Sequence, residues 1–412
     1  MEKWWDESFR RNRARYFMKP PADLCVMCKG TKKLCGQSFC PILKKMDLQL
    51  GFRTKMKADV FGPSQEVFVG SFGYPNVSFG PLATVDRKPV SIQETYGRPY
   101  QDIIDSRVSM VRGTRHITAS GRMQRDIQEV ALSIRPTDIE MNFSKTPEVK
   151  LSFSSLVQPM GPSAPLSCFR QAENPKIPKR VDIVIEENLL AGQAISELTH
   201  HGFDSYYLTN IFSTGALGKV EGRKVVPTRW SITAMDDIIA KQRMEEIRGY
   251  PRINDTFLFS HTDYDNHYEV LLMPGNWEFE NFEAWSPKSI WANGAKEAVV
   301  TGEHEPFSGR TKYADKQVGG YYASRFAVVE HLHSLRRQAR AVVFREIGDG
   351  YMVPLGVFQV REGVRAALRK RPERFQGLQD ALDRIREKVT VPLGKYLGQS
   401  NILAQSRLDA FL

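Results

Sequence analysis

The sequence predicts an α+β protein: a mixed strand and helix body with a small N-terminal metal-binding module and a flexible C-terminal tail. Three observations lead there. Strand-like and helix-like hydrophobic periods interleave along the chain without a regular β-α repeat. Four of the five cysteines lie between Cys25 and Cys40. Beyond Pro392 the hydrophobic period decays into the polar, glycine-containing stretch GKYLGQSNILAQS, which reads as a tether. A chain of 412 residues exceeds the roughly 250 to 300 residues at which single cores stop growing, so a core with appendages is expected. The expected divisions are a basic helix and four-cysteine metal module over 1–60, an α+β body over 61–400 and a tail over 401–412.

Composition narrows the function classes. Hydrophobic residues make up 41% and charged residues 25% of the chain, as in soluble globular proteins. No apolar run approaches the roughly 18 to 20 residues of a membrane span, and the opening MEKWWDESFRRNRARYF carries charges where a secretion signal is apolar. These features predict a cytoplasmic, nucleoid-associated protein with no membrane partner. The net charge of +11 is concentrated at the ends. Residues 1–60 hold 14 Lys and Arg against 6 Asp and Glu, residues 361–412 hold 11 against 6, and the stretch between is near neutral. Basic ends on a neutral body suit a polyanion binder, because each cation placed on a phosphate releases a counterion. A solvated surface would carry the same charge for solubility.

In chain order, Trp4 to Met18 predicts a basic helix, with Arg10, Arg11, Arg13 and Arg15 beside Trp4, Trp5, Phe9 and Phe17, ended by Pro20 and Pro21. Arg10 and Arg11 are candidate DNA contacts. Next comes Cys25-x2-Cys28-x6-Cys35-x4-Cys40. Four thiolates this close can complete a tetrahedral site, and Gly30 and Gly36 free the backbone to wrap it, so Zn2+ is the first choice. An iron-sulfur cluster is the alternative, since Cys40-Pro41 echoes the end of ferredoxin runs, although the other spacings differ. Lys32 and Lys33, with Lys29, Lys44 and Lys45, surround the cluster and could contact phosphate. The remaining Cys168 reads as a buried small hydrophobe.

Within the body, Glu66 to Phe72 and Val149 to Ser155 alternate, Val181 to Ile185 is an apolar run, and Glu187 to Leu198 looks helical. Strand signals recur at Asp255 to His261, His267 to Met273, Ala298 to Thr301 and Ala341 to Arg345. Helical periodicity marks Met235 to Ile247 and Tyr322 to Leu335. Leu378, Leu382, Ile385 and Val389 form an apolar stripe on a packing helix.

The chain ends in Gln405-Ser-Arg-Leu408-Asp-Ala-Phe411-Leu412, which fits the pattern Gln-x-x-aliphatic-x-x-aromatic-aromatic/aliphatic of motifs that bind a DNA polymerase sliding clamp (PCNA). One helical turn presents Leu408, Phe411 and Leu412 on one side as a hydrophobic plug, with the Gln405 amide beside it. Leu412 stands where the fullest pattern has a second aromatic.

The cysteine module, the segments FVGSFGYPNVSFGP (68–81) and VPTRWSITAMDD (226–237) and the terminal octet together resemble the archaeal Nre DNA-repair proteins. The resemblance covers essentially the whole chain. It implies a C4-type zinc finger at Cys25, Cys28, Cys35 and Cys40, a clamp-interacting motif over Gln405 to Leu412, and a role in DNA repair with DNA and the clamp as partners. It supplies no reaction.

Whether the body is an enzyme is left open by its residues. His261, Asp263, Asp265, His267 and Glu269 alternate, so on one strand they would share a face and could bind divalent ions that activate water on a phosphodiester, as in a metal-dependent nuclease or phosphohydrolase. A solvated hairpin with its turn near Asp265-Asn266 is the competing reading, because five such residues on one strand spread over roughly 25 Å. Arg229 and Trp230 could meet a phosphate or base, with Asp236 and Asp237 as metal ligands; alternatively, Thr233 to Asp237 caps the following helix. The segment from Gly70 lacks the Lys of a P-loop and reads as a turn, one that could lie near a ligand. His331 and His333, two apart on a helix, point to different sides.

Overall fold

The structure is a computed structural model that describes residues 57–85, 90–149, 160–287, 295–351 and 354–404, together with Leu43, Ser289 and Ala292. Arg10, Arg11, the four-cysteine module with Lys32 and Lys33, the expected strand after Val149, and the octet from Gln405 to Leu412 lie outside the described residues. The mixed α+β character is as expected. The span 61–400 comprises parts of two compact units that divide between Ile239 and Ala240.

In the first unit, alternating inward and outward residues build β1 (Asp59–Val69), β2 (Asn76–Thr84), β3 (Met110–Thr118), β4 (Thr137–Phe143) and β5 (Ser163–Gln171). They close into a barrel in the order β1-β2-β3-β5-β4. Closure depends on β1, which pairs antiparallel with β4 through residues 59–64 and with β2 through residues 64–69. A register shift between Ser64 and Glu66 accompanies this change of partner, as a bulge allows a strand to bend. β3 and β5 run parallel. The strands β2 and β3 cross so closely at Gly80 that a Cβ there would lie 2.0 Å from the Gly113 carbonyl oxygen.

Val67, Val69, Val77, Phe79, Val111, Ile139, Met141 and Phe169 point inward. The α1 helix (Tyr100–Val108) occupies the β2–β3 connection, and α2 (Arg125–Leu132), between β3 and β4, adds Ile127, Val130 and Ala131 to the barrel core. A five-stranded Greek-key barrel in this order, with a helix after its third strand, has the connectivity of the OB-fold. Cys168 is exposed rather than buried. Alternation along β5 turns Phe169 into the core and leaves Cys168 and Arg170 outside.

The apolar run Val181 to Ile185 is helical, within α3 (Lys179–Glu186), where Val181 and Val184 share the buried side. The helical signal after Glu187 resolves to α4 (Ala191–His200). In α5 (Ser205–Ser213), the Asp204 side chain accepts the Tyr206 and Tyr207 amides as an N-cap. Asn210 of α5 completes the free edge of β1: its Oδ1 accepts the Val67 N–H at 3.0 Å and its Nδ2 donates to the Gln65 carbonyl at 2.6 Å. The α6 helix (Thr228–Ile247) spans the division between the units.

The second unit is built on the sheet β11-β6-β7-β10-β8-β9, from β6 (Thr256–Asp263), β7 (Asn266–Met273), β8 (Glu278–Trp285), β9 (Val299–Glu305), β10 (Arg340–Ile347) and β11 (Glu373–Phe375). Seven of the eight residues of central β10 are buried. It pairs antiparallel with β7 and parallel with β8. The helices are α7 (Gly319–Leu335), α8 (Val357–Leu368), α9 (Leu378–Lys388) and α10 (Leu393–Leu397). The stripe read on α9 packs as expected, with Ala381, Leu382 and Ile385 in a core shared with Leu258, Leu271 and Phe344.

The stretch beyond Pro392 is not a tether as far as Leu403. Tyr396, Ile402 and Leu403 are buried, and the polar residues around them pair with buried groups of the sheet. Glu346 of β10 accepts the Thr390 and Val391 amides at 2.7 and 2.9 Å and the Tyr396 hydroxyl at 2.7 Å. Glu280 of β8 accepts the Asn401 amide at 2.8 Å and the Ser400 hydroxyl. Polarity in this stretch therefore serves buried carboxylates as well as water.

Candidate nucleic-acid interface

The outer face of β1, β2 and β3 is assembled by alternation. Glu66 and Phe68 of β1, Ser78 and Leu82 of β2, and Arg112 and His116 of β3 point away from the barrel core. Register sets them in rows: Glu66 beside Leu82 beside Arg112, and Ser78 beside His116. The Arg112 guanidinium lies 4.8 Å from the Phe68 ring centroid. Its side chain makes no ion pair or hydrogen bond among the described residues, and its Nε is buried without a partner. Burial lowers its pKa. A guanidinium held against an aromatic face with its donors unspent suits a phosphate or the edge of a base. Burial pushes the nearby Glu66 carboxyl up, against the opposing pull of Arg107.

The β1–β2 loop, residues 70–75, borders this face and is the turn expected from its glycines. The Gly70 N–H donates to the Ser78 carbonyl at 2.8 Å and the Asn76 N–H to the Gly73 carbonyl at 2.9 Å. Gly73 has φ +83°, a conformation costly for other residues. Phe72 is 85% exposed in the loop, while Tyr74 turns inward and lies 4.9 Å from Trp230, ring centroid to centroid. Next to this contact, Thr228 Oγ1 accepts the Val69 N–H at 2.9 Å and lies 3.1 Å from Ser213 Oγ. The two segments singled out in the sequence thus meet at one place.

Of the paired candidates there, Arg229 is exposed and Trp230 is half-buried as a support for the loop. The capping role read for Thr233 to Asp237 is overturned. The α6 helix starts at Thr228, and Asp236 and Asp237 lie buried inside it. Arg112 and His116 carry no sequence signal because MVRGTRHIT contains few large apolar residues and is interrupted by Gly113, while Phe68 and Phe72 lie in a segment legible as strand and turn but not as a binding face.

The candidate metal cluster around His261 does not assemble. A hairpin turn at Tyr264 and Asp265, both at positive φ, joins β6 to β7 and pairs His261 with Tyr268 and Thr262 with His267. His261 and Asp263 therefore share one face, while His267 and Glu269 share the other. His267 Nε2 lies 2.8 Å from Glu269 Oε1, and its Nδ1 lies 2.7 Å from the Thr262 hydroxyl. Asp265 Oδ2 accepts the Gly350 N–H at 2.5 Å. Burial, aided by Lys370, Arg369 and His267, lowers the His261 pKa to about 4. Among the described residues no group of three or more His, Cys, Asp or Glu side chains could hold a metal ion. His331 and His333 diverge as expected: His331 packs edge-on to Phe259, and His333 Nε2 lies 3.1 Å from Glu246. No helix among the described residues is long and apolar enough to cross a membrane.

Comparison with known proteins matches residues 34–292 to the family described as "Archaeal Nre, N-terminal" and residues 305–411 to "Archaeal Nre, C-terminal". DNA repair protein NreA of Archaeoglobus fulgidus is 39% identical over 374 residues, covering 89% of this chain and 93% of that protein. DNA repair protein NreB of the same organism is 35% identical, covering 93% and 97%. DNA repair protein NreA of Haloferax volcanii is 34% identical, covering 85% and 87%.

Proposed function

The chain belongs to the archaeal Nre family, and from that premise we propose that it is a DNA-repair factor that binds single-stranded DNA on the outer face of its barrel and is recruited to the sliding clamp by Gln405 to Leu412. The names of its relatives support the repair role. The observation that carries the DNA-binding reading is Arg112, stacked on Phe68 with no acidic partner among the described residues, on the β2–β3 face of an OB-type barrel. Barrels of this type use that face and the adjoining loop for oligonucleotides. Phe72 offers a ring on which a base can stack, and Arg112, His116 and Arg229 offer positive or hydrogen-bonding groups along the path.

The remaining parts act as adaptors. Zn2+ held by Cys25, Cys28, Cys35 and Cys40 would supply the folding free energy of a module too short for its own core, about ten kcal/mol for structural sites of this kind. An iron-sulfur cluster on the same thiolates is the alternative. Arg10, Arg11, Lys32 and Lys33 add phosphate contacts. The division of His261 and Asp263 from His267 and Glu269 leaves the hydrolase alternative without an assembled metal site among the described residues.

Two measurements test the reading. Fluorescence anisotropy with single-stranded DNA, duplex DNA and RNA of one length should rank single-stranded DNA first, with affinity falling as salt rises. Equal weak binding to all three contradicts it. Calorimetric titration into the cognate clamp should give heat for the intact chain and none for a chain ending at Ala404; no binding by the intact chain removes the recruitment arm.

A further inference from the structure

Two segments of the second unit, far apart in sequence, lie side by side at one surface. Residues 248–253 follow the end of α6, and residues 336–339 join the end of α7 to β10. Buried Gln338 clamps them together. Its Nε2 donates to the Arg248 carbonyl at 3.3 Å and to the Tyr250 carbonyl at 2.6 Å, across 90 and 88 positions of sequence. Its backbone N–H donates to the Pro251 carbonyl at 3.0 Å, and its own carbonyl accepts the Ile253 N–H at 3.1 Å. Arg252 pairs with Gln338 as an isolated parallel bridge.

The clamp brings Arg248, Arg252, Arg336 and Arg337 to this surface; the last three are exposed and Arg248 is half-buried. None of them makes an ion pair among the described residues. Arg248 donates from Nε to the Phe307 carbonyl at 2.9 Å, with its guanidinium 5.6 Å from the centroid of that ring. Arg252 donates from Nε to Asn276 Oδ1 at 3.0 Å, and Arg337 from Nη1 to the Arg336 carbonyl at 3.0 Å. The nearby carboxylates are otherwise placed. Glu246 accepts the Tyr250 hydroxyl at 3.1 Å and lies 3.1 Å from His333 Nε2. Asp255 pairs with Arg374 at 2.8 Å, and Glu245 is exposed on α6. The near-neutral charge of residues 61–360 hides this concentration, because the fold assembles it from two segments.

We propose that this surface binds the phosphate backbone of duplex DNA. Guanidiniums that no internal carboxylate neutralises keep charge and donors for phosphate oxygens, and each one seated releases a condensed counterion. The aromatic groups favour backbone over base recognition. Tyr250 is turned toward His333, ring centroids 6.1 Å apart, and Phe307 lies against Arg248, whereas a single-strand site presents free rings to unpaired bases. The surface belongs to a different unit from the barrel, so it stands without the barrel reading. Where both hold, the substrate is a duplex with a single-stranded overhang, and that extension rests on the barrel reading.

Anisotropy of the full chain with a labelled blunt duplex, repeated over a series of salt concentrations, tests it. The double variant Arg336→Gln, Arg337→Gln removes no internal ion pair, so it should unfold at the wild-type temperature. It should bind the duplex about tenfold more weakly at low salt, with a salt slope smaller by about two. Arg336→Lys with Arg337→Lys should restore the slope, and Arg252→Gln, on the other segment, should weaken binding in the same direction. The glutamine variant should keep its affinity for single-stranded DNA, while Phe72→Ala should lose that affinity and keep the duplex, so failure of either surface shows by itself. Wild-type duplex affinity and slope in the glutamine variant, no duplex binding by the wild type at low salt, or tighter binding of labelled polyglutamate than of duplex would overturn the proposal.

Discussion

The Val69 N–H donates to the Thr228 hydroxyl at 2.9 Å across 159 positions of sequence. This bond ties the end of β1 to the first turn of α6, and the adjacent Tyr74–Trp230 contact ties the following loop to the same turn. The loop carrying Phe72 is thus supported from below by residues that need not touch DNA.

Replacing Thr228 by Val keeps the shape and removes the acceptor. The part-buried Val69 N–H then loses its partner, which should cost about 1 to 3 kcal/mol of stability. Urea unfolding should show a lower midpoint with an unchanged slope, and Thr228→Ser should restore most of the loss.

Phe72→Ala removes a side chain that contributes little to packing, as it is 85% exposed. Its unfolding temperature should stay at the wild-type value. Affinity for single-stranded DNA should fall by about 1 to 3 kcal/mol, the usual range for one stacked base, as read by anisotropy at fixed salt.

The low pKa of His261, about 4 in the folded chain against an ordinary 6.5, gives a signed pH dependence. Between those values the unfolded chain binds a proton that the folded chain does not, so folding loses stability as pH falls. The contribution is intact above about pH 6.5 and declines down to the folded value near 4. His331 is shifted the same way by burial. Unfolding temperatures across this range should fall less steeply in His261→Gln than in the wild type.

Glu346 accepts hydrogen bonds from Thr390, Val391 and Tyr396. Glu346→Ala should cost about 2 to 4 kcal/mol, because several buried donors lose their acceptor together. Hydrogen exchange should accelerate first over residues 390–403, which this carboxylate anchors.

Legibility of the sequence followed local pattern. The β6–β7 and β10 strands and the α7 and α9 helices show clear periods, because each buries one continuous face or is buried throughout. The barrel was largely invisible: its strands carry glycines at Gly62, Gly80 and Gly113, where neighbours approach closely, and polar residues on the outer face, which weakens alternation. The run Val181 to Ile185 was ambiguous because a short apolar run suits a strand or a helix equally. The stretch beyond Pro392 looked like a tether because Ser400 and Asn401 are polar, and nothing local reveals that Glu280 waits for them in the sheet. For the same reason Arg112 carried no signal: its place against Phe68, with no ion-pair partner among the described residues, exists only in three dimensions.

Hydrogen exchange of the intact chain with and without a single-stranded oligonucleotide tests the central claim most directly. Slowed exchange concentrated in residues 68–84 and 110–118, and lost in Phe72→Ala at the same oligonucleotide concentration, is the expected result. Tight binding with no protection of those two strands would contradict it and place the DNA elsewhere on the chain.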